Sequence, residues 1–416
     1  MNSTKLAYLF EFPKFRKEIK KLNDIIFFFP FYHFGGGETV HLDILRIFKK
    51  HATSCFIIQR SDNDFLKDNF DEVTQLIDLG QYKSLKYESY VKVLAKEINA
   101  KDNPVVFGCN NIFFYRLLPF LDENKVKIID LTHAFSYEDP NSVEKRSIPV
   151  VHKIHKRVIL GKKTFNDYKN LYINNNIDLS LLERFIIISN AVDIPEKYIK
   201  KTNKTLKVLF VSRNSFEKRP EIFFEIAKQC FLNKIDASFT IIGDFENEKN
   251  EIPNLKIVGS IKEKEKMNQY YADHDILLIT SFREGFPMVI LEGMAYGVVP
   301  ISTNVGEISS FINAKNNNGI LIDDVSVKGY EIAPHKYKKM GMSSPKNNSE
   351  EISEEIKNTI EKFLEIIKMF SSDREFLEKI SKNAYNTVRK EFSKEKNKIS
   401  YYNLFFESAS EKTNQY

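Results

Sequence analysis

Short apolar runs alternate with longer amphipathic stretches along most of the chain. Strands buried on both faces of a parallel sheet read as continuous apolar runs, and the helices that cover them show a wider period. In the first half, "DIIFFFPFYH", "TSCFIIQ", "NPVVFGC", "KVKIIDLTHAF", "HKRVILGKK" and "ERFIIISNAVD" read as strands, and "ETVHLDILRIFKK" as a helix. Around "DIPEKYIKKTNKT" the apolar period disappears, which suits a linker. A second series follows: "LKVLFVSR", the helix "PEIFFEIAKQCF", "ASFTIIGD", "LKIVGSI", "DILLITS", a helix after Pro287, "VVPISTN" and "GILIDD". Residues 325–350, rich in Gly, Pro, Lys and Ser, are expected to form a surface loop, and amphipathic helices are expected near 351–370 and 373–392. The tail "KEKNKISYYNLFFESA" carries aromatic residues on one side and is expected to pack against something. Two such series predict an α/β protein of two doubly wound parallel sheets, over residues 1–195 and 205–390, with 391–416 as a tail. Ligands of such sheets bind at the carboxyl ends of strands, so the expected site is a cleft between the two domains.

Composition narrows the class. A chain of 416 residues exceeds one ordinary core, and 42% hydrophobic with 28% charged residues describes a globular protein. The net charge of +6, from 62 basic and 56 acidic residues, is too small an excess to imply nucleic-acid binding. It suits a polyanionic small ligand or contact with an anionic membrane surface. Cys55, Cys109 and Cys230 lie far apart without CxxC spacing and read as buried thiols of a reducing compartment. The first residues lack the order of a signal peptide, and no apolar run reaches the length of a membrane span, so a cytoplasmic protein is expected.

The chemistry concentrates in "SFREGFPMVILEGMAYGVVPISTNVGE", Ser281 to Glu307. A strand ends near Thr280, Gly285-Phe286-Pro287 turns the chain, and a helix is predicted to start at Pro287 or Met288. The amino end of that helix favours an anion such as a diphosphate, and Gly285 lets backbone approach it. Glu284 precedes the helix and Glu292 lies inside it. Carboxylates repel phosphate but accept sugar hydroxyls well, so a sugar diphosphate would satisfy both features. Acids also favour the first turn of any helix, and for an isolated pair that reading would win. Gly293 and Gly297 are expected to let the helix pack closely on its sheet.

"REGFPMVILEGMAYGVVPISTNVGE" resembles the donor-binding signature of the large retaining glycosyltransferase family 4, which shares the two-Rossmann GT-B architecture of the glycogen synthases. Its hallmark is two glutamates separated by seven residues, as Glu284 and Glu292 are. Gly293 stands where the family more often has Ala, and "VGEISSF" departs from its usual Gly-Gly, leaving Glu307 without an inherited role. "LFVSRNSFEKRP" resembles the segment whose Arg and Lys hold the donor diphosphate, here Arg213 and Lys218. "FGGGE" resembles the amino-terminal glycine loop, giving Gly36 and Gly37. His133 in "IIDLTHAF" stands where the family places a His near acceptor and donor sugar. "ISNAVDIPEKY" resembles a turn before the linker, with structural Asn190 and Asp193, and the tail resembles closing helices that cross back to the first domain.

The resemblance implies a transferase moving a sugar, with retention of configuration, from a nucleotide sugar, UDP-sugar first, to a glycan or lipid-linked acceptor in cell-surface polysaccharide assembly. His133, Arg213, Lys218 and Glu284 would serve the reaction. Gly36, Gly37, Gly259, Ile261, Gly285, Phe286, Pro287, Met288 and Glu292 would join them in donor binding. No metal or cofactor is expected beyond the nucleotide-sugar co-substrate; "SDND" near Asp62 contains an Asp-x-Asp but sits in a polar loop without further ligands. The alternatives are an epimerase or hydrolase on the same fold, or a non-catalytic nucleotide-sugar-binding protein. "PKFRKEIKK", which interleaves Phe15 and Ile19 with basic residues, suits either a solvated segment or peripheral contact with an anionic inner membrane face.

Overall fold

The computed structural model describes residues 3–33, 35–136, 142–248, 250–324 and 354–406. The 325–350 segment expected as a surface loop lies outside them. The chain divides into two compact units, Met1–Asn190 with Glu395–Tyr416, and Ala191–Lys394.

In the first unit, β1 (Ile25–Phe29), β2 (Thr53–Ile57) and β4 (Val105–Cys109) are buried at every position, as their unbroken apolar runs require. With β3 (Gln75–Asp78), β5 (Lys127–Thr132), β6 (Lys156–Ile159) and β7 (Phe185–Ile187) they form one seven-stranded parallel sheet, ordered β3-β2-β1-β4-β5-β6-β7. Sequence reading passed over β3, a four-residue strand in which only Ile77 is buried. Too little of it is apolar to stand out from its helical neighbours.

The second unit repeats the plan. Strands β8 (Leu206–Val211), β9 (Ala237–Ile242), β10 (Leu255–Val258), β11 (Ile276–Ile279), β12 (Val299–Thr303) and β13 (Ile320–Ile322) form a six-stranded parallel sheet ordered β10-β9-β8-β11-β12-β13. In both sheets the winding reverses beside the first strand, between β1 and β4 and between β8 and β11. A crevice opens at such a reversal at the carboxyl ends of the strands, because the flanking loops leave in opposite directions.

Aromatic packing fills the first core. Phe28 stacks on Phe56 with ring centres 4.9 Å apart and planes 7° apart. The basic segment near the amino terminus belongs to a helix, Ser3–Ile19, and Phe15 and Ile19 are its buried residues. They are core side chains, so a contact of this segment with a lipid surface would have to use other residues. The helix Lys394–Phe406 sets Phe405 against Phe48, 4.2 Å between ring centres, and against Phe27. The tail is therefore part of the first unit's core. In the second unit the amphipathic helices Glu354–Ser372 and Arg374–Glu391 bury Phe363, Ile367, Phe370, Leu377 and Ile380 in the core under the sheet.

Each unit also buries one Arg–Asp pair: Arg157 with Asp130 at 2.7 Å, and Arg219 with Asp324 at 2.5 Å. Both pairs are sheltered from water, their side chains at most 2% exposed. Tyr115 donates to both oxygens of Asp130, and the Arg157 guanidinium lies over the Tyr168 ring, 4.4 Å from its centre.

Candidate functional site

The site in the second unit grows from the loops after β8 and β11. Beyond β8 the chain runs through a short turn, Phe216–Lys218, to Arg219, which takes a left-handed conformation with φ +49° and starts the helix Pro220–Leu232. Such a φ strains a residue with a side chain and persists only where the surroundings hold it. Here Nε of Arg219 donates to the carbonyl of Thr280 at 2.6 Å, while Thr280 Oγ1 donates back to the carbonyls of Lys218 and Arg219 at 2.8 and 3.0 Å. The two loops are thereby fixed to each other, and Lys218 is delivered to the end of β11.

There Lys218 Nζ meets both oxygens of Glu284, at 2.8 and 2.7 Å. Ser281 Oγ donates a third bond to the same carboxylate at 2.6 Å. The Glu284 side chain is only 8% exposed and that of Lys218 19%, so the pair is held away from bulk water. A third loop braces it: the amide of Glu307 donates to the carbonyl of Gly285 at 3.0 Å. Gly306, at φ +59°, allows this approach, since a Cβ there would lie 2.3 Å from the carbonyl oxygen of Glu284. Glu307, whose role the sequence left open, thus anchors the loop through its backbone.

The helix begins at Met288 with Pro287 as its cap residue. It ends at Ala295, so Gly297 lies beyond it, at φ +73°, where Val298 and Gly297 close the end on Gly293 and Met294. Gly297 therefore terminates the helix, a correction to its expected part in helix–sheet contact. A Cβ at Gly293 would make ordinary contacts, the nearest at 3.4 Å to Leu277, so nothing there demands glycine.

Glu292 accepts from Tyr271 Oη at 2.8 Å, and burial raises its carboxyl above the usual range. Its Oε1 has no protein partner among the described residues. Arg213 stands apart from the Lys218–Glu284 pair: its side chain is 79% exposed and it touches Glu217 at 3.4 Å. The Phe286 ring is 7% exposed and packs against Phe311 and Phe392, which leaves only its backbone for a ligand. Gly259 and Ile261 follow the carboxyl end of β10, at the sheet edge; Ile261 is buried, and Glu246 fills the space a Cβ on Gly259 would need. Across the three strand spacings from β10 to β11 the distance is about 14 Å, a span suited to an extended ligand.

In the first unit, Gly36 and Gly37 are the first two residues of the helix Gly36–Ile47 after β1. No atom lies within 4 Å of where a Gly37 Cβ would be, so packing does not impose that glycine. Phe34 lies outside the described residues. His133 follows β5, at a strand end as its position implied, and its Nε2 meets His41 Nε2 at 2.9 Å. Burial holds His133 down at about 4 and His41 well below the ordinary histidine range, so both rings are neutral near pH 7. Cys109 Sγ lies 3.3 Å from His41 Nε2. Sequence reasoning passed over His41 and read Cys109 as a buried thiol, as it is, without placing the two together; His41 lies 92 residues from His133 and 68 from Cys109. The one available signal was a His among the buried positions Val40, Leu42 and Leu45 of an otherwise apolar helix face.

Comparison with known proteins gives these features a family. Residues 193–333 match the family described as glycosyl transferases group 1. A 41.2 kDa uncharacterised protein in the cps region of Klebsiella pneumoniae is 28% identical over 247 residues, 56% of this chain and 65% of that protein. The UDP-Gal:alpha-D-GlcNAc-diphosphoundecaprenol alpha-1,3-galactosyltransferase of Escherichia coli is 26% identical over 206 residues, 43% of this chain. The chain spans about two thirds of the first relative's length and 51% of the second's. The Anabaena protein HepE, solved in complex with UDP-glucose, shares the fold at a TM-score of 0.62 and 15% identity, over 91% of this chain and 98% of its own. Residues 193–333 are thus similar to the group 1 glycosyltransferases, and the two Rossmann-like sheets are of the GT-B type.

Proposed function

We propose that this protein transfers a sugar from a UDP-sugar to a glycan or lipid-linked acceptor, with retention of configuration, in the assembly of a cell-surface polysaccharide. The observation that carries the reading is the sheltered Lys218–Glu284 pair at the sheet reversal of the second unit, inside the matched family region. Support for the donor comes from HepE, solved with UDP-glucose, and from the galactosyltransferase relative, named for UDP-Gal and a diphosphoundecaprenol acceptor. The polysaccharide setting draws on the cps-region relative.

In the proposed reaction the bond between the sugar's anomeric carbon and the diphosphate oxygen breaks, and a bond from that carbon to the acceptor oxygen forms. UDP leaves with the electron pair, and the acceptor's hydroxyl proton passes to the departing phosphate oxygen on the same face. Charge grows on the diphosphate as the bond breaks. Lys218 neutralises it, Arg213 swings in from solvent to add a second cation, and the amino end of the helix Met288–Ala295 adds its dipole. Neutralisation by these groups is the reason no metal or other cofactor is invoked. Glu284, released in part from Lys218, and Glu292 through its unpartnered oxygen accept hydroxyls of the sugar and the ribose. Gly285, Pro287 and Met288 bring backbone to the phosphates, and Gly259 with Ile261 receive the far end of the nucleotide. Gly36, Gly37 and His133 line the acceptor side of the first unit.

With a lipid-linked acceptor the protein would work at a membrane surface, in this reading the cytoplasmic face. Leu6, Leu9 and Phe10 are 48, 58 and 73% exposed on one side of the helix Ser3–Ile19, and Lys14, Arg16 and Lys17 follow on exposed positions, a pattern that suits contact with an anionic surface. No helix among the described residues is long and apolar enough to cross a membrane. The test is incubation with UDP-sugars and lipid-linked or glycan acceptors. UDP release that requires acceptor supports transfer, and release without acceptor replaces it with hydrolysis. The absence of nucleotide binding removes the reading altogether. Flotation with phosphatidylglycerol vesicles at low salt checks the membrane contact, and protein that stays at the bottom of the gradient contradicts it.

A further inference from the structure

At the sheet reversal of the first unit, three side chains from separate elements converge. His41 comes from the helix after β1, Cys109 ends β4, and His133 follows β5. The His41 ring is locked in place: it is 2% exposed and stacks on Phe29 with centres 4.2 Å apart and planes 8° apart. His41 Nε2 is 2.9 Å from His133 Nε2 and 3.3 Å from Cys109 Sγ, while His41 Nδ1 is buried with no hydrogen-bond partner.

Two arrangements of matter could explain such a trio. In the first, a metal ion joins the three atoms, which lie within 4.8 Å of one another. Two imidazole nitrogens on a tetrahedral zinc stand about 3.3 Å apart, given Zn–N bonds of roughly 2.0–2.1 Å. The observed 2.9 Å is shorter and is an ordinary hydrogen-bond length. A metal-bound imidazole also donates its second N–H to a partner, and His41 Nδ1 has none. In the second arrangement a single proton lies between the two Nε2 atoms. Placed on His133, it forces the other hydrogen of His41 onto Nδ1, where a buried donor would face nothing. Placed on His41, it leaves only a bare lone pair on Nδ1, the lesser penalty. Cys109 Sγ then receives a share of the same N–H as a weak acceptor.

We propose that His41 is a positioning residue that donates through Nε2 to His133 and so fixes His133 as the Nδ1–H tautomer, a neutral donor aimed at a substrate oxygen. This rests on the reading that His133 meets substrate. It adds that His133 works as a hydrogen-bond donor to a hydroxyl or ring oxygen, since its Nε2 lone pair is already occupied by His41. It also accounts for a pair of buried histidines at the strand ends where a ligand binds.

The test is nitrogen-15 histidine NMR on the full chain between pH 6 and 8, together with the variants His41→Gln and His41→Leu. The expected spectrum shows His133 with Nδ1 protonated and Nε2 as acceptor throughout. Gln at 41 supplies an amide N–H in place of Nε2 and should keep most of the turnover and the His133 tautomer. Leu should lower kcat on the order of tenfold, leave UDP binding unchanged, and let His133 exchange between tautomers. A His133 protonated on Nε2 in the wild type overturns the proposal. So does stoichiometric zinc in protein purified without chelator, or equal loss in both variants. The spectrum does not depend on activity: the expected tautomer in a protein that transfers no sugar would retire the transferase reading and leave this inference standing.

Discussion

The two sheets wind in the same order and reverse at the same place, yet the chemistry at the two reversals is opposite. At β8 and β11 the chain sets a lysine and a carboxylate together, 2.7 Å apart. At β1 and β4 it sets two histidines and a thiol, all neutral near pH 7 and joined by hydrogen bonds. Topology therefore fixes where a ligand sits, and the loop residues decide what kind. A charged reversal suits a diphosphate, whose departure needs compensation of charge. A neutral one suits hydroxyl groups, for which a fixed charge would be a poor match.

The comparison extends to the buried pairs beneath each site, and the largest expected effect lies there. Removing one partner strands a charge in a dry interior, so Arg157→Leu and Arg219→Leu should each lose about 3–5 kcal/mol. Urea unfolding followed by fluorescence checks both, and a loss under 1 kcal/mol in either would show that its Asp takes up a proton and needs no partner. Arg219→Leu should also weaken UDP binding, because that residue ties the Lys218 turn to Thr280. Arg157→Leu should not.

Next in size is Lys218→Ala. It removes the cation proposed to meet the diphosphate and leaves Glu284, 8% exposed, without its counter-charge. A loss of about 2–4 kcal/mol in UDP affinity is expected by calorimetry. Arg213→Ala, at a position 79% exposed, should leave the fold unchanged and weaken UDP less. Equal effects of the two would erase the distinction drawn between a sheltered and a mobile cation.

His133 and Glu292 depend on pH with opposite sign. His133 titrates near 6.5 when unfolded and at about 4 in place, so the folded first unit binds fewer protons than its unfolded chain in that window. The contribution of His133 to stability is full above 6.5 and falls by up to about 3 kcal/mol as the pH drops toward 4. Glu292 is shifted upward from 4.5, so in the second unit this group stabilises the fold at low pH and loses that contribution as the pH rises past 4.5. NMR titration of the His133 ring and the Glu292 carboxyl in the folded chain checks both, and a His133 that protonates above 6.5 or a Glu292 that ionises below 4.5 would contradict the assignment.

The smallest effect is at Gly306. Alanine there must adopt φ +59° and meet the Glu284 and Gly285 carbonyls, a strain of about 1–3 kcal/mol. The loop carrying Glu284 should shift, raising KM for the donor more than it lowers kcat. An unchanged KM would show that the brace from Gly306 and Glu307 does not set the position of Glu284.

The same contrast explains what could be read from the chain. The second unit's site is local in sequence: Glu284, Gly285, Pro287, Met288 and Glu292 follow one another through one strand, loop and helix. A single stretch therefore carried both the resemblance and the physics. Lys218 was legible by its place after a strand, but its pairing with Glu284, 66 residues on, was not. In the first unit the chemistry is assembled from three separate strand ends, so no stretch shows it, and His41 reads as one more core position. Apolar runs gave away the long buried strands, while β3 escaped because a short edge strand with one buried residue has no distinctive pattern. The segment Pro13–Lys21 was legible only in part, for a related reason. Its charge was visible, but the burial of Phe15 against Tyr90 and Phe56 depends on elements far along the chain.

The most direct measurement is a crystal structure of the protein with UDP bound. The account predicts phosphate oxygens within about 3 Å of Lys218 Nζ, at the amino end of the helix that starts at Met288, with Glu284 freed in part from its lysine. UDP lodged away from the ends of β8 and β11, with Lys218 still closed on Glu284, would contradict it.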